Sequence, residues 1–562
     1  MRRKQWKKAV ALAAAATMTM GAISGCGNSG SDTPGTTAGT TASNSGTTAA
    51  PQQTAQTETT AAPAADGTIT YPIADAGSFT YGMALASAWS DRYDSYDALP
   101  LGKALEEQTG FDMEMVHVQD KTAMNLLLAS GELPDAITYN FASNYTGGNA
   151  KAYSDGIIYS MSEEFLQKNA PDYWAYLQKN PEVLKQVRAD DGTIYGFGFI
   201  LGGDLLKAGQ GIFVREDWLK DLGLDAPETP EEFKEMLKQF KEKKGAEIPF
   251  ELTNNKLTAV LKCGDITSAF GLVCMDVYQV DGKVHIGYAE PEFKDVLVYL
   301  NDLYTEGLLD PNFATVDEDT LTANMLTGVS GATDGAIGSV MGTLLTTNAD
   351  VEGYSLIGIK NLVAKRGDTP MFGKWSNDVP GNMTVITTSC KDPAAVAKFF
   401  NYGFTEEGHL LYNFGIEGES FEYVGEDPIF TDLITNNPNG LTLKQALSEY
   451  QLAWTNGPFV QDPAYLLQYY SDQRQKDALT LFSQVDATKY KYPAVTIPTD
   501  VASEHSSLTS ELETYRDEMI IKFIRGEESL DNFDAYLNNL KSMGLEQLIQ
   551  IKQDALDAYN AQ

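Results

Sequence analysis

Residues 125–137 read NLLLASGELPDAI, and the reading of this stretch decides the fold. Met124 to Ala129 has the pattern of a helix, Gly131 and Pro134 break it, and Asp135 is placed to bond its own backbone at the turn. Ala136 to Tyr139 then resumes as a strand. Further toward the N-terminus, Phe111 to Val118 alternates like a strand. Leu99 to Thr109 reads as a helix with Leu101 and Leu105 opposite Lys103 and Glu107, stopped at Gly110. Phe79 to Ala88 is apolar enough for a further strand and runs into a polar loop, Trp89 to Asp97. Strand, helix, strand, helix, strand predicts a βαβ sheet with crossover helices, so the folded body opens as an α/β domain.

The chain start is of another kind. Arg2, Arg3, Lys4, Lys7 and Lys8 precede an almost purely apolar run, Ala9 to Met20, the pattern of a secretory signal. The run is shorter than the ~20 apolar residues that cross a bilayer. Ile23-Ser24-Gly25-Cys26 resembles a bacterial lipobox, which implies cleavage after residue 25 and diacylglycerol on the Cys26 sulfur; plain secretion with a free cysteine is the alternative. Residues 26–69 are Thr-, Ser- and Ala-rich with almost no large apolar side chain, and read as a disordered tether.

Hydrophobic content of 43% is ordinary for a globular body with large cores, and the length remaining predicts two or three domain lengths. The formal charge of −36 argues against nucleic acid or an anionic membrane surface as partner. It also disfavours strongly anionic ligands, unless basic residues are concentrated in the site. With Cys26 lipidated, Cys263, Cys274 and Cys390 remain. They are too few for a disulfide framework, have no CxxC spacing, and leave a Cys263 to Cys274 bridge open. His117, His285, His409 and His505 lie far apart, with neither HExxH nor a HxH pair, and are read as surface or packing residues.

Together with VREDWLKDLGLDAPETPEEFKEML at Val214 to Leu237, the opening stretch resembles extracellular solute-binding protein family 1, the substrate-binding components of ABC sugar importers. Further matching strings are DDGTIYGF at Asp190 to Phe197, CKDPAAVAKFFNYGFTEEG at Cys390 to Gly408, GIEGESFEY at Gly415 to Tyr423, and the segment Lys522 to Leu548. Much of this is scaffold. Thr229 is expected to cap a helix with Pro230 at its first position and Glu232 completing a capping box, and Trp218 and Trp174 are expected to pack.

The resemblance implies a two-lobe periplasmic-binding-protein-like α/β fold with hinge strands and a ligand cleft between the lobes. One lobe would take residues 70–198 and about 360–410, the other about 199–359 and 411–562. The crossings fall near Gly196 to Gly203 and Leu356 to Lys360. It also implies a carbohydrate ligand, with an oligosaccharide favoured, separate permease and ATPase subunits, and a monomer held to the membrane by lipid alone.

Sugar rings stack on aromatic faces while their hydroxyls need amide and carboxylate partners. Trp89, Trp375 and Trp454, each in a loop among small or polar residues, are therefore candidate ligand contacts, Trp454 also by position in the family. The resemblance adds Tyr139 and Asn140 from the first lobe, and Asn254 and Asp334 from the second. Long members of the family carry a calcium loop where this chain reads KEKKGAEIP, Lys241 to Pro249. Lysines replace the oxygen ligands there, so no metal is expected, and no cofactor. A secreted glycan hydrolase is the rival reading, since two carboxylates suffice for glycoside cleavage, but neither a GxSxG elbow nor a phosphate-cradling loop is present. A surface adhesin or peptide-binding lipoprotein is the third.

Overall fold

A computed structural model describes residues 68–189, 191–452, 457–498 and 500–561. Cys26 and most of the tether lie outside the described residues. In chain order, the first elements that position the site are β1 (Ser78–Ala84), α1 (Pro100–Thr109), β2 (Asp112–Val118), α2 (Lys121–Ser130), β3 (Ala136–Tyr139), β4 (Phe197–Gly198) and β5 (Gln210–Arg215). They are followed by α3 (Pro230–Lys244), β6 (Ile248–Phe250), α4 (Asn254–Cys263), β7 (Ser330–Ala336), β8 (Leu356–Gly358), β9 (Met383–Ile386), α5 (Gln473–Phe482) and α6 (Ala502–Arg525).

Two sheets result. The first runs β2-β1-β3-β9-β4, with β1 parallel to β2 and β3, and β9 antiparallel to β3 and β4. The second runs β8-β5-β7-β6, where β7 is antiparallel to β5 but parallel to β6. Each sheet is covered by helices, and the chain has the two-lobe α/β architecture expected.

Local chemistry differs from expectation at two turns. Asp135 does not bond its own backbone: its carboxylate accepts from the Thr80 N–H at 2.8 Å and from the Thr80 hydroxyl at 2.7 Å, pinning β3 to β1. Thr229 caps α3 by accepting from the Glu232 N–H at 3.3 Å, but the box stays open. The Glu232 carboxylate reaches one residue further out, to the Glu228 N–H at 2.9 Å, and Arg366 donates to it as well.

Buried apolar side chains form two clusters. One holds Phe79, Phe399 and Phe400 around the first sheet; the other holds Phe233, Phe250 and Phe293 around the second. The stretch 411–482, which the resemblance placed with the second lobe, buries Leu411, Tyr412, Leu447 and Phe459 in the first cluster. Phe459 meets Phe199 at 5.4 Å, and Arg92 Nε donates to Glu449 at 2.6 Å, so apolar area and an ion pair both hold the part before α5 to the first cluster. In the C-terminal part it is α6 and the helices after it that join the second cluster, through Leu512, Phe523, Tyr536 and Leu548.

α5 belongs to the first cluster but lies on the second sheet. Its Phe482 ring packs over Gly211 and Gly358, where a Cβ would approach ring atoms to 2.6 and 2.9 Å. The glycines of the first crossing also permit close approach. A Cβ on Gly196 would meet the Thr384 carbonyl at 2.6 Å, and one on Gly202 the Gln461 carbonyl at 2.4 Å.

Candidate functional site

Three adjoining cavities run between the lobes. The central one, about 730 Å³, has Asn144 to Ala150 and Val379 to Gly381 on its first-lobe side. Ala494 to Ile497 and the α6 residues His505, Thr509 and Glu513 line the other side. It shares Lys121 and Asn144 with a cavity of about 270 Å³ in the first lobe, and Asn377 and Pro380 with one of about 410 Å³ that reaches into the second.

The first-lobe cavity brings together Trp89, Tyr139 and Asn140, three of the residues expected to meet ligand. Trp89 is only 2% exposed and sets its indole edge-on to His117 at 5.8 Å, so it is as much a core residue as a cavity wall. Tyr139 donates to Asn125 Oδ1 at 3.1 Å. The Asn140 side chain accepts from the Ser143 N–H at 3.0 Å, capping the short helix Phe141–Asn144 that forms the rim.

Trp375 stands at the opposite end, half-buried in the wall of the third cavity. It lies in a stretch, 359–382, with no helix or strand, and side chains from elsewhere hold that stretch in place. Lys207 pairs with Asp378 at 2.8 Å and sits 5.9 Å from the Trp375 ring centre. Gln186 accepts from the Val379 N–H at 2.9 Å and donates to Asp378 at 3.1 Å.

Asn254 and Asp334 line none of these cavities. Asn254 is exposed on the first turn of α4, where Thr253 provides the cap. Asp334 is wholly buried in the middle of the second sheet. Gln210 donates to its Oδ1 at 3.0 Å while Oδ2 has no partner, and burial pushes the carboxyl up to about 7. Trp454 lies outside the described residues.

Other groups at the cavities were not legible in the sequence. Asn149 Oδ1, His505 Nε2 and Thr509 Oγ1 are buried polar atoms without a hydrogen-bond partner, and all three residues line the central cavity. Burial, aided by Lys552, pushes the His505 imidazole down to about 4, so it is neutral at ordinary pH. Asn149 and His505 are 356 positions apart in sequence, and no spacing rule connects them. Among the described residues, Glu513 is the one carboxylate lining the central cavity, and it pairs with Arg516 at 3.3 Å. A glycosidase uses a facing pair of carboxylates, and among the described residues no second carboxylate lines that cavity. The other histidines are structural, with His285 against Glu290 at 2.9 Å and His409 against Asp462 at 3.0 Å. Cys263 and Cys274 are free, buried thiols, which closes the question of a bridge between them.

Comparison with known proteins gives a consistent result. The profile of the family described as bacterial extracellular solute-binding protein matches residues 100–409. Lipoprotein LipO of Bacillus subtilis (strain 168) is 26% identical over 476 residues, covering 81% of this chain and 88% of that protein. The fructooligosaccharide ABC transporter substrate-binding protein FusA of Streptococcus pneumoniae serotype 4 (strain ATCC BAA-334 / TIGR4) is 29% identical over 259 residues, 43% of this chain and 46% of that protein. The crystal structure of alginate-binding protein AlgQ2 without calcium ion superposes with a TM-score of 0.66 at 23% identity. It covers 87% of this chain and 99% of its own, a likeness of fold.

Proposed function

The chain belongs to the bacterial extracellular solute-binding proteins, whose profile it matches over more than half its length, and from that premise we propose that it captures an oligosaccharide between its lobes for an ABC importer. The observation that carries this reading is the central cavity: polar atoms without partners on residues of both its sides, with Trp89 and Tyr139 beyond one end and Trp375 beyond the other. Buried unpaired polar groups are costly, and the hydroxyls of a sugar that reaches them supply the partners they lack. The family is one of solute-binding proteins, FusA is named as a substrate-binding protein of a fructooligosaccharide ABC transporter, and AlgQ2 as an alginate-binding protein.

In this reading the ligand favours a closed state through contacts made to both lobes, and the lobes turn about the stretches near Gly196 to Gly203 and Leu356 to Lys360. Separate permease and ATPase subunits receive the cargo. Lipid on Cys26 and the tether keep a monomeric body at the extracytoplasmic face of the membrane. A thermal-shift screen over oligosaccharides identifies the cargo, because a true ligand raises the melting temperature with the logarithm of its concentration. Small-angle scattering with that sugar then tests capture: a smaller radius of gyration is expected, and unchanged dimensions at saturation overturn closure.

A further inference from the structure

The third cavity has a chemistry at odds with the rest of the molecule. In a chain of formal charge −36, it is lined by Lys262, Lys374 and Lys491 and by one carboxylate, Asp276. Lys262 lies 3.5 Å from that carboxylate. Lys374 and Lys491 have neither a hydrogen-bond nor an ion-pair partner for their ammonium groups among the described residues, although both side chains are half-buried. A fourth lysine, Lys207, stands at the Trp375 face, already paired with Asp204 and Asp378.

Uncompensated ammonium groups gathered in a recess repel one another and are poorly solvated there. The Lys491 group registers this: it is pushed down to about 8, first by burial, with Lys207 and Lys374 adding repulsion against the opposing pull of Asp378 and Asp276. Lys374 lies within electrostatic reach of the buried Asp265 without an ion pair between them. Asp265 and Asp334 are both pushed up by burial, and neither oxygen of Asp265 has a hydrogen-bond partner. The aromatic faces of Trp375, Tyr278 and Tyr492 line the same recess, which joins the central cavity at Asn377 and Pro380.

We propose that the cavity beside Trp375 is an anion-recognising subsite, in which Lys374 and Lys491 bind the charged substituent of an acidic sugar ring that packs on the indole. The inference rests on the oligosaccharide-capture reading and narrows it: the cargo is an acidic oligosaccharide. The cavity supplies the local concentration of basic residues that the overall charge otherwise argues against. Ammonium contacts of this kind are salt-sensitive and prefer anion over ester.

The test is a calorimetric and thermal-shift comparison of the purified chain with trigalacturonate, its methyl ester, a sulfated galacto-oligosaccharide and the neutral trisaccharide kestose. Binding is expected for the uronate or the sulfated sugar, each arm identifying its anion, with affinity falling as salt rises. Lys374→Gln and Lys491→Gln are each expected to weaken that binding about tenfold while leaving the fold intact by circular dichroism. Should Lys491→Gln fail to fold, the half-exposed Lys374→Gln and the salt dependence still decide. Binding of the methyl ester or kestose as tight as that of the acids, or unchanged affinity in Lys374→Gln, overturns the anionic subsite and leaves sugar capture standing. No response to any of the four overturns the subsite, and a blank wider screen overturns capture with it.

Discussion

The two ends of the groove are built on opposite plans. At the first-lobe end, Tyr139 ends a strand, Asn140 caps the next helix, and Trp89 sits in a turn so well packed that it is 2% exposed. At the second-lobe end, Trp375 hangs on a stretch without helix or strand, held by Gln186 and Lys207 from other parts of the chain. The same residue type in similar sequence surroundings has two fates. What separates them is degree: Trp89 is buried within the first hydrophobic cluster, whereas Trp375 packs against that cluster only in part and lines the third cavity. The first-lobe cavity balances one lysine, Lys121, against one carboxylate, Asp120, whereas the second-lobe one sets three lysines against one carboxylate.

The sharpest way to break this contrast is to truncate each tryptophan. Trp89→Ala should cost about 3–5 kcal/mol of stability, as large-to-small core changes do, read as a lower denaturant midpoint. A midpoint matching the parent would show that the ring is not part of the core. Trp375→Ala should lower the midpoint less than Trp89→Ala does and weaken sugar binding by about 1–3 kcal/mol, measured by calorimetry. If the two variants exchange phenotypes, the two-plan description is wrong.

A smaller effect sharpens the comparison through pH. The Lys491 group is pushed down from 10.5 to about 8 in the folded chain, so the unfolded chain binds more protons between those values. Stability should therefore rise as pH increases from about 8 toward 10.5, the penalty being fully present below that window. Lys491→Gln should flatten the rise, followed as melting temperature against pH. An unaltered slope in the variant would assign it to another group.

Much of the first lobe was legible because its signals are local. Alternation marks β2, the break at Gly131 and Pro134 announces β3, and Gly110 and Gly131 mark the ends of α1 and α2. The partner of Asp135 was not legible, since Thr80 lies 55 positions away on another strand. That Leu411, Tyr412, Leu447 and Phe459 join the first cluster was not legible for the same reason: amphipathic helices report that they bury a face, not which cluster receives it. Of the expected residues that line the cavities, Trp89 and Trp375 were singled out by residue type and loop position, and Tyr139 and Asn140 by the family resemblance. Asn254 and Asp334 were carried over by family position alone, and neither lines the groove. Lys262, Lys374 and Lys491 share no spacing, and only the folded chain brings them into one recess.

The seat of Phe482 over Gly211 and Gly358 ties α5 to the second sheet. A ring pressed against two backbones that have no side chains to deflect it behaves as a bearing: rotation about an axis through the contact leaves it loaded, whereas sliding across it opens a void. α5 is thus carried with β5 and β8 as one body, and a turn between the lobes has to be taken up elsewhere in the chain.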